Sequence, residues 1–340
     1  VRCWGDARYG LLGNGTLATA PTYLTSPGLV MGLSGVASMR SFASASGGAT
    51  MCVRLRDGTV RCWGENARGQ VGDGTFTARA RPEPVLGVTG ARSIGGGDQH
   101  TCAVLEGGRL QCWGRGEHGA IGNGVSEHAP TPVLLDTISD VEEVGGGAFT
   151  TVARLRDGTV RAWGVLGLLR PDLTDSNVPV ALAGISDARQ LSVAAASLDY
   201  MQVCALRANG RVRCVGAGSP TPGAWFDVGL SDVTQLSGGW KVTCARLADT
   251  TVHCWGSNER GGLGNLSIPH GVDYVGTPHP VLRLDGTLFV GAVSVRVGGG
   301  GYACARMADD TLQCWGTVTA GLTGTGEAEL VPTPRRPFGL

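Results

Sequence analysis

The sequence predicts an all-β fold built as a propeller, one blade to each sequence repeat. Three observations carry this. A W-G step recurs along the 340 residues at a spacing near 50, for example at Trp63, Trp113 and Trp163. Each repeat holds short strand-like runs, with a turn signal about every 8–12 residues, giving about four strands per repeat. Glycine supplies 57 residues, far above the roughly 7% usual share, and follows no Gly-X-Y triplet. Its place is therefore in tight turns and bulges, and collagen is excluded.

Aligned on that step, the copies are anchored at Trp4, Trp63, Trp113, Trp163, Val215, Trp255 and Trp315, the fifth being degenerate. The successive differences are 59, 50, 50, 52, 40 and 60 residues. Each full copy opens with a glycine cluster and a short strand. A D-G or similar turn leads to a second strand ending C-W-G. A glycine-rich loop follows, such as Gly13 to Thr16, Gly72 to Thr75 or Gly122 to Gly124, and then a proline-rich segment with Pro82 and Pro84, or Pro278 and Pro280. Residues 1–340 read as a single domain. From Trp315 to Leu340 there are 25 residues, and Trp4 stands four from the start. Together these make 29, short of the repeat length by the glycine cluster, first strand and turn that precede every other C-W-G strand. The expectation is that the natural chain extends beyond one terminus, chiefly before Val1. Otherwise one blade is incomplete and presents an open strand edge.

The run from Cys52 to Thr75, CVRLRDGTVRCWGENARGQVGDGT, resembles the repeat of the regulator of chromosome condensation (RCC1) family, in its cysteine-bearing bacterial form. The likeness recurs in six good copies over nearly the whole chain. It implies a seven-bladed β-propeller with four antiparallel strands per blade. It does not imply one function, since a fold of this kind hosts many.

Ten of the eleven cysteines fall in pairs ten residues apart: Cys52 with Cys62, Cys102 with Cys112, Cys204 with Cys214, Cys244 with Cys254, and Cys304 with Cys314. A three-residue hairpin loop such as Arg56-Asp57-Gly58, with its glycine left-handed, sets Cys52 directly opposite Cys62. Opposed residues lie within disulfide reach. In the fourth copy both positions change together, to Val152 and Ala162, as expected of bonded partners. Cys3 is left over, and its partner by the same rule falls before Val1. The competing reading is ten reduced, buried thiols. Metal binding fits poorly, since the ten-residue separation is not a zinc spacing and no histidine accompanies the pairs regularly. Disulfides in this number point to an extracellular, cell-surface or periplasmic location.

Lys plus Arg equals Asp plus Glu at 28 each, so zero net charge argues against nucleic acid as the main partner. No run of about 18 apolar residues occurs, so no membrane span is predicted. The six histidines form no metal pattern, no G-x-S-x-G or phosphate-binding loop is present, and the G-D-G-T stretches read as blade turns. No catalytic residue, cofactor or metal is expected. The tryptophans of the C-W-G steps read as buried wedges between blades. Copies four and five, short of cysteines or of the tryptophan, are expected to be the most mobile.

Function is sought where the copies differ. One short loop per copy, between glycine cluster and second strand, refuses to repeat. It carries Gln99 and His100, Phe149, Tyr200, Trp240 with Lys241 (the only lysine), and Tyr302. Loops at one register emerge at one end of a propeller, and aromatics ringed by polar groups are the usual substance of a protein-binding hot spot. The other reading is that these side chains plug the blade ends, and His100 occupies a position where the resembling family often has a histidine. The leading expectation is a secreted or surface propeller that binds another protein and is not an enzyme. Within the resembling family one branch comprises secreted bacterial inhibitors that cap β-lactamases through such loops, which implies an inhibitor as a narrower alternative. The nuclear exchange activity of the founding member is not expected, because the cystine pattern suits no nuclear protein. A lectin or an enzyme using the same end is the competing class. It requires converging carboxylates, and the loops offer Asp98 and Asp199.

Overall fold

The computed structural model describes residues 1–20, 22–43, 48–197, 199–317 and 331–337. A two-stranded sheet comes first, from Arg2–Asp6 and Tyr23–Leu29. Six antiparallel sheets of four strands follow in chain order. The second is Val36–Ala43, Ala49–Leu55, Val60–Gly64 and Arg79–Pro84; the third is Ala91–Gly96, His100–Leu105, Leu110–Gly114 and Ala129–Leu134. The fourth is Val141–Gly146, Thr150–Leu155, Val160–Val165 and Asp175–Ala181. The fifth is Ala188–Ser197, Tyr200–Arg207, Val212–Gly216 and the short Phe226–Asp227. The sixth is Val233–Gly238, Val242–Leu247, Val252–Gly256 and Val275–Pro280; the seventh is Ala292–Val297, Tyr302–Met307, Leu312–Gly316 and Val331–Arg335. The chain forms two compact units, one of residues 1–22 and 28–187, the other of residues 23–27 and 188–340.

The central hairpin of each sheet is set by its turn. Leu55 N–H donates to the Thr59 carbonyl at 2.8 Å, closing a three-residue loop in which Gly58 has φ +79°. Asp57 Oδ1 accepts from both the backbone N–H and the hydroxyl of Thr59, which holds the carboxyl below its usual range. That register places Cys52 opposite Cys62. The same register sets Cys102 opposite Cys112, Cys204 opposite Cys214, Cys244 opposite Cys254, and Cys304 opposite Cys314. All five expected pairs stand at disulfide distance, with Cα atoms 4.0 to 4.1 Å apart. In the fourth sheet Val152 faces Ala162 in the same register. Cys3 is a buried free thiol, pushed up to about 11 by burial.

The tryptophans do act as wedges. Trp113 packs among Cys52, Val60 and Cys62 of the second sheet and Ile94 and Ala103 of the third. Trp163 does the same between the third and fourth sheets, beside Cys102 and Cys112. Trp255 lies between the fifth and sixth, beside Cys204 and Cys214, and Trp315 between the sixth and seventh, beside Cys244 and Cys254. Trp63, Trp113, Trp163, Trp255 and Trp315 are fully buried; Trp4 departs from the expectation and is half-buried. A buried indole N–H needs an acceptor. Trp63, Trp113, Trp163 and Trp315 donate to main-chain carbonyls of the preceding copy, Leu11, Gln70, Ala120 and Gly262, at 2.9 to 3.0 Å. The glycine-rich loops that supply these carbonyls lie against the indole itself: a Cβ on Gly72 would stand 2.7 Å from Trp113 Nε1.

The fifth copy lacks that loop, and a side chain replaces it. Gln202 Oε1 accepts from Trp255 Nε1 at 2.9 Å, while Gln202 Nε2 donates to the Ala217 carbonyl at 2.8 Å. One glutamine thus satisfies the wedge of the next sheet and ties down its own strand end. Neighbouring first strands of the second unit are also joined by side chains. Gln190 exchanges two 2.9 Å bonds with the backbone of Leu236, and Gln235 and Ser237 accept from Val295 and Val297. In the first unit the glycine clusters explain themselves by crowding, since a Cβ on Gly95 would fall 1.9 Å from the Val144 carbonyl oxygen.

Candidate partner-binding site

The glycine of the W-G step fixes where the variable loops stand. Gly64, Gly114, Gly164, Gly216, Gly256 and Gly316 all have φ between +88° and +107°. A Cβ at Gly164 would lie 1.9 Å from the Phe149 carbonyl oxygen, and one at Gly256 2.1 Å from that of Lys241. The loop backbone therefore presses onto this glycine. The residue after it then donates its N–H to the loop: Glu65 to Ala49, Arg115 to Gln99, Val165 to Phe149, Ala217 to Met201, Ser257 to Lys241, at 2.8 to 3.0 Å, and Thr317 to Gly301 at 3.5 Å. Every one of these sheets thus joins two non-repeating positions by one repeated bond. The loop was legible in the sequence; its partner after W-G was missed. The signal was present, because Asp6, Glu65, Arg115, Val165, Ala217, Ser257 and Thr317 share nothing while flanked by repeating residues. A further such position stands five residues after the tryptophan, with Arg68, His118 and Arg260.

In the first unit these positions gather around Phe149. The Arg115 guanidinium lies over its ring at 4.3 Å and the His118 ring meets it edge-on at 5.1 Å. Each flanking group is already paired: Arg115 with Glu117 at 3.0 Å, His118 with Asp175 at 2.8 Å. Gln99 is buried and donates to Glu65 at 3.3 Å. Burial raises the Glu65 carboxyl above its ordinary range. His100 is fully buried, which places it in the frame. The Thr151 hydroxyl spends its proton on the Ala120 carbonyl at 2.7 Å, so His100 Nε2 must donate to Thr151 Oγ1 at 2.8 Å. Burial, helped by the Arg115 charge, pushes His100 down to about 4, so the ring is neutral.

In the second unit Trp240, Lys241 and Tyr200 come together. Lys241 has φ +51°, a strained conformation for a residue other than glycine. From it the ammonium reaches Asp273 Oδ1 at 2.9 Å and lies 4.0 Å from Glu259. The bond to Asp273 raises the Lys241 pKa above its ordinary value. The same ammonium stands 5.3 Å from the Trp240 ring centroid and 5.7 Å from that of Tyr200. Tyr200 lies beneath, buried, and donates its hydroxyl to the Lys241 carbonyl at 3.1 Å. Burial drives its phenol well above the usual range. Arg260 covers the Trp240 ring at 4.1 Å. Tyr302 is half-buried on its own loop, where its ring lies against Gly298.

Of the seven residues named from the sequence, three (Tyr200, Trp240, Lys241) form one cluster, Tyr302 borders it through Gly298, whose carbonyl accepts from the Trp240 N–H at 3.3 Å, and Gln99, His100 and Phe149 lie in the other unit. Among the described residues no group of three or more His, Cys, Asp or Glu side chains could hold a metal ion. No helix of the described residues is long and apolar enough to cross a membrane.

Residues 57–104 and 91–120 each match the Regulator of chromosome condensation (RCC1) repeat. The chain is 34% identical over 103 residues to the E3 ubiquitin-protein ligase HERC2 of Homo sapiens, and to that of Mus musculus; the match spans 30% of this chain and 2% of each relative. Its fold is similar to that of human WBSCR16, with a TM-score of 0.79 at 17% identity, covering 98% of this chain and 92% of that one. It is also similar to a chain of the crystal structure of Kap60 bound to yeast RCC1 (Prp20), with a TM-score of 0.80 at 16% identity, covering 98% and 82%. Prp20p from Saccharomyces cerevisiae, in a structure described with its binding to Gsp1p and histones, gives 0.77 at 17% identity, covering 98% and 85%. Residues 57–120 therefore carry RCC1-like repeats, and the chain folds as a seven-bladed β-propeller with four antiparallel strands in each of the six sheets that follow the first.

Proposed function

We propose that this chain is a secreted or cell-surface scaffold that binds another protein through its non-repeating loops and catalyses no reaction. The observation that carries the reading is the second unit's cluster, where Trp240 stands half-buried between Arg260 and Lys241 over a buried Tyr200. An aromatic held rigid among charged groups is the composition of an interface hot spot. In this reading Trp240, Lys241 and Tyr302 of the second unit supply contact surface, with Tyr200 holding their loops from beneath; in the first unit, taken by itself, Phe149 supplies contact surface, with Gln99 and His100 holding its loops. An inhibitor that caps an enzyme, such as a β-lactamase, is its narrower form. The fold neighbour Prp20p, whose structure is described with its binding to Gsp1p and histones, supports protein binding as a use of this fold. Five cysteine pairs at disulfide distance support an oxidising compartment. Zero net charge supports a protein partner over nucleic acid.

The test is retention of a protein from the extracellular fraction of the native organism on immobilised, unreduced chain. The expected result is one stoichiometric partner, released when Trp240 is replaced by alanine. Saturable binding of a glycan with no protein partner, or turnover of a small substrate, would overturn the proposal.

A further inference from the structure

The charged groups in these loops are not equivalent. Arg115 is paired with Glu117, His118 with Asp175, and Lys241 with Asp273. Arg260 is different. It is exposed, and among the described residues no carboxylate lies within ion-pair distance of it. Yet its position is fixed. Its guanidinium is stacked on Trp240 at 4.1 Å, and one nitrogen donates to the Gly300 carbonyl at 3.2 Å. Gly301, with φ +79°, makes room for its stem: a Cβ there would stand 3.0 Å from Arg260 Cδ and 3.4 Å from Trp240. An arginine loses rotamer entropy when it is ordered, and here the fold has already ordered it. Stacking on an indole leaves the rim of the guanidinium open, and with Nη1 on the Gly300 carbonyl it is the Nε and Nη2 edge that offers the fork matching a carboxylate in two parallel bonds.

We propose that Arg260, presented on Trp240, is the anchor for an aspartate or glutamate side chain on an exposed loop of the partner protein. This rests on the protein-binding reading above and gives that partner its chemistry. The surroundings favour a carboxylate over a phosphate. Glu259 and Asp273 stand at the same loops, and Asp273 is mostly exposed with Lys241 as its partner. They oppose a dianion, whereas a single planar carboxylate is accepted by the fork, and the flanking acids remain able to receive backbone N–H groups or a cation from the same loop.

The experiment selects a disulfide-constrained heptapeptide library, displayed on phage, against the unreduced protein, with Arg260→Gln as counter-selection. The selected peptide and its acid-to-amide version are then titrated calorimetrically into the wild type, Arg260→Gln and Arg260→Lys. Arg260 is exposed, so all three proteins fold, which circular dichroism checks. Selected peptides are expected to share an internal Asp or Glu. Amide replacement in the peptide and Arg260→Gln should each weaken binding at least about tenfold, as loss of a charged bidentate pair requires. Combining them should add little, and Arg260→Lys should fail to restore affinity, since an ammonium lacks the fork. Peptides without an acid, peptides that bind Arg260→Gln equally well, or peptides that bind only through a terminal carboxylate would overturn the inference. Selection of such peptides alongside a retained extracellular partner would sink the arginine anchor and leave the protein-binding reading standing. Absence of any retained protein would sink that reading itself.

Discussion

The fourth sheet allows the cysteine register to be tested by addition. Val152 and Ala162 face each other at the positions where five other sheets carry paired cysteines, and both are fully buried. Replacing both with cysteine should yield a sixth disulfide without backbone movement. The closed loop has the same ten-residue separation as the five other pairs. The chain-entropy relation gives about 2.7 kcal/mol for a loop of that length at 25 °C. Against it stands the loss of packing where Val152 is trimmed, about 1 kcal/mol by analogy with buried methyl deletions. A net gain of about 1–2 kcal/mol is expected over the wild type, read as a higher denaturant midpoint. Intact mass under denaturing, unreduced conditions should show the loss of two hydrogens relative to the dithiol. Two additional titratable thiols in the folded, air-oxidised double variant would refute the register. A bond that forms and leaves the midpoint unchanged would refute the loop-entropy account of what the staples do.

Three other outcomes follow from the same geometry. Titration of the denatured, unreduced chain of residues 1–340 should find a single thiol, Cys3, among its eleven cysteines; eleven reactive thiols would remove both the staples and the oxidising compartment. Gln202→Leu should destabilise the chain by about 1–3 kcal/mol, because Trp255 then holds a buried N–H without an acceptor; an unchanged midpoint would show that another group takes the bond. His100 is buried neutral with its folded pKa near 4, below the roughly 6.5 of the unfolded chain. The unfolded state then binds the extra proton, so this contribution is complete above pH 6.5 and is lost as the pH falls toward 4. The loss is roughly 1.4 kcal/mol per unit. Wild type should lose stability faster than His100→Gln over that range, and parallel profiles would contradict the assignment.

The repeat made much of this fold legible. A D-G turn with a threonine after it fixes a hairpin, the hairpin fixes the cysteine pairs, and the W-G glycine fixes the loop that crosses above it. These are local consequences of chain geometry, so they can be read from one copy and checked in the next. Compensation was not legible, because it acts across copies. Nothing in the sequence of the fifth copy marks Gln202 as the replacement for a missing loop carbonyl, since its partner Trp255 lies 53 residues away. The candidate site was half legible for the same reason. The aromatics announced themselves by breaking the repeat, whereas Arg115 and Arg260 gain meaning only when the fold brings them onto Phe149 and Trp240. Sequence position also failed to separate surface from frame: Gln99, His100 and Tyr200 share the loop register with Trp240 and are buried.

We propose a division of labour, in which the repeating residues, with buried non-repeating ones such as His100 and Gln202, build the scaffold and the less buried non-repeating residues hold the partner. The most direct measurement is the affinity of the retained extracellular protein for a Trp240→Ala, Arg260→Gln double variant, taken together with that variant's unfolding midpoint. The account predicts binding weakened by at least about a hundredfold, as for two hot-spot residues of about 1.4 kcal/mol or more each, in a variant that still unfolds cooperatively with a midpoint only modestly lowered by the lost Trp240 packing. Undiminished binding by the folded variant would contradict it.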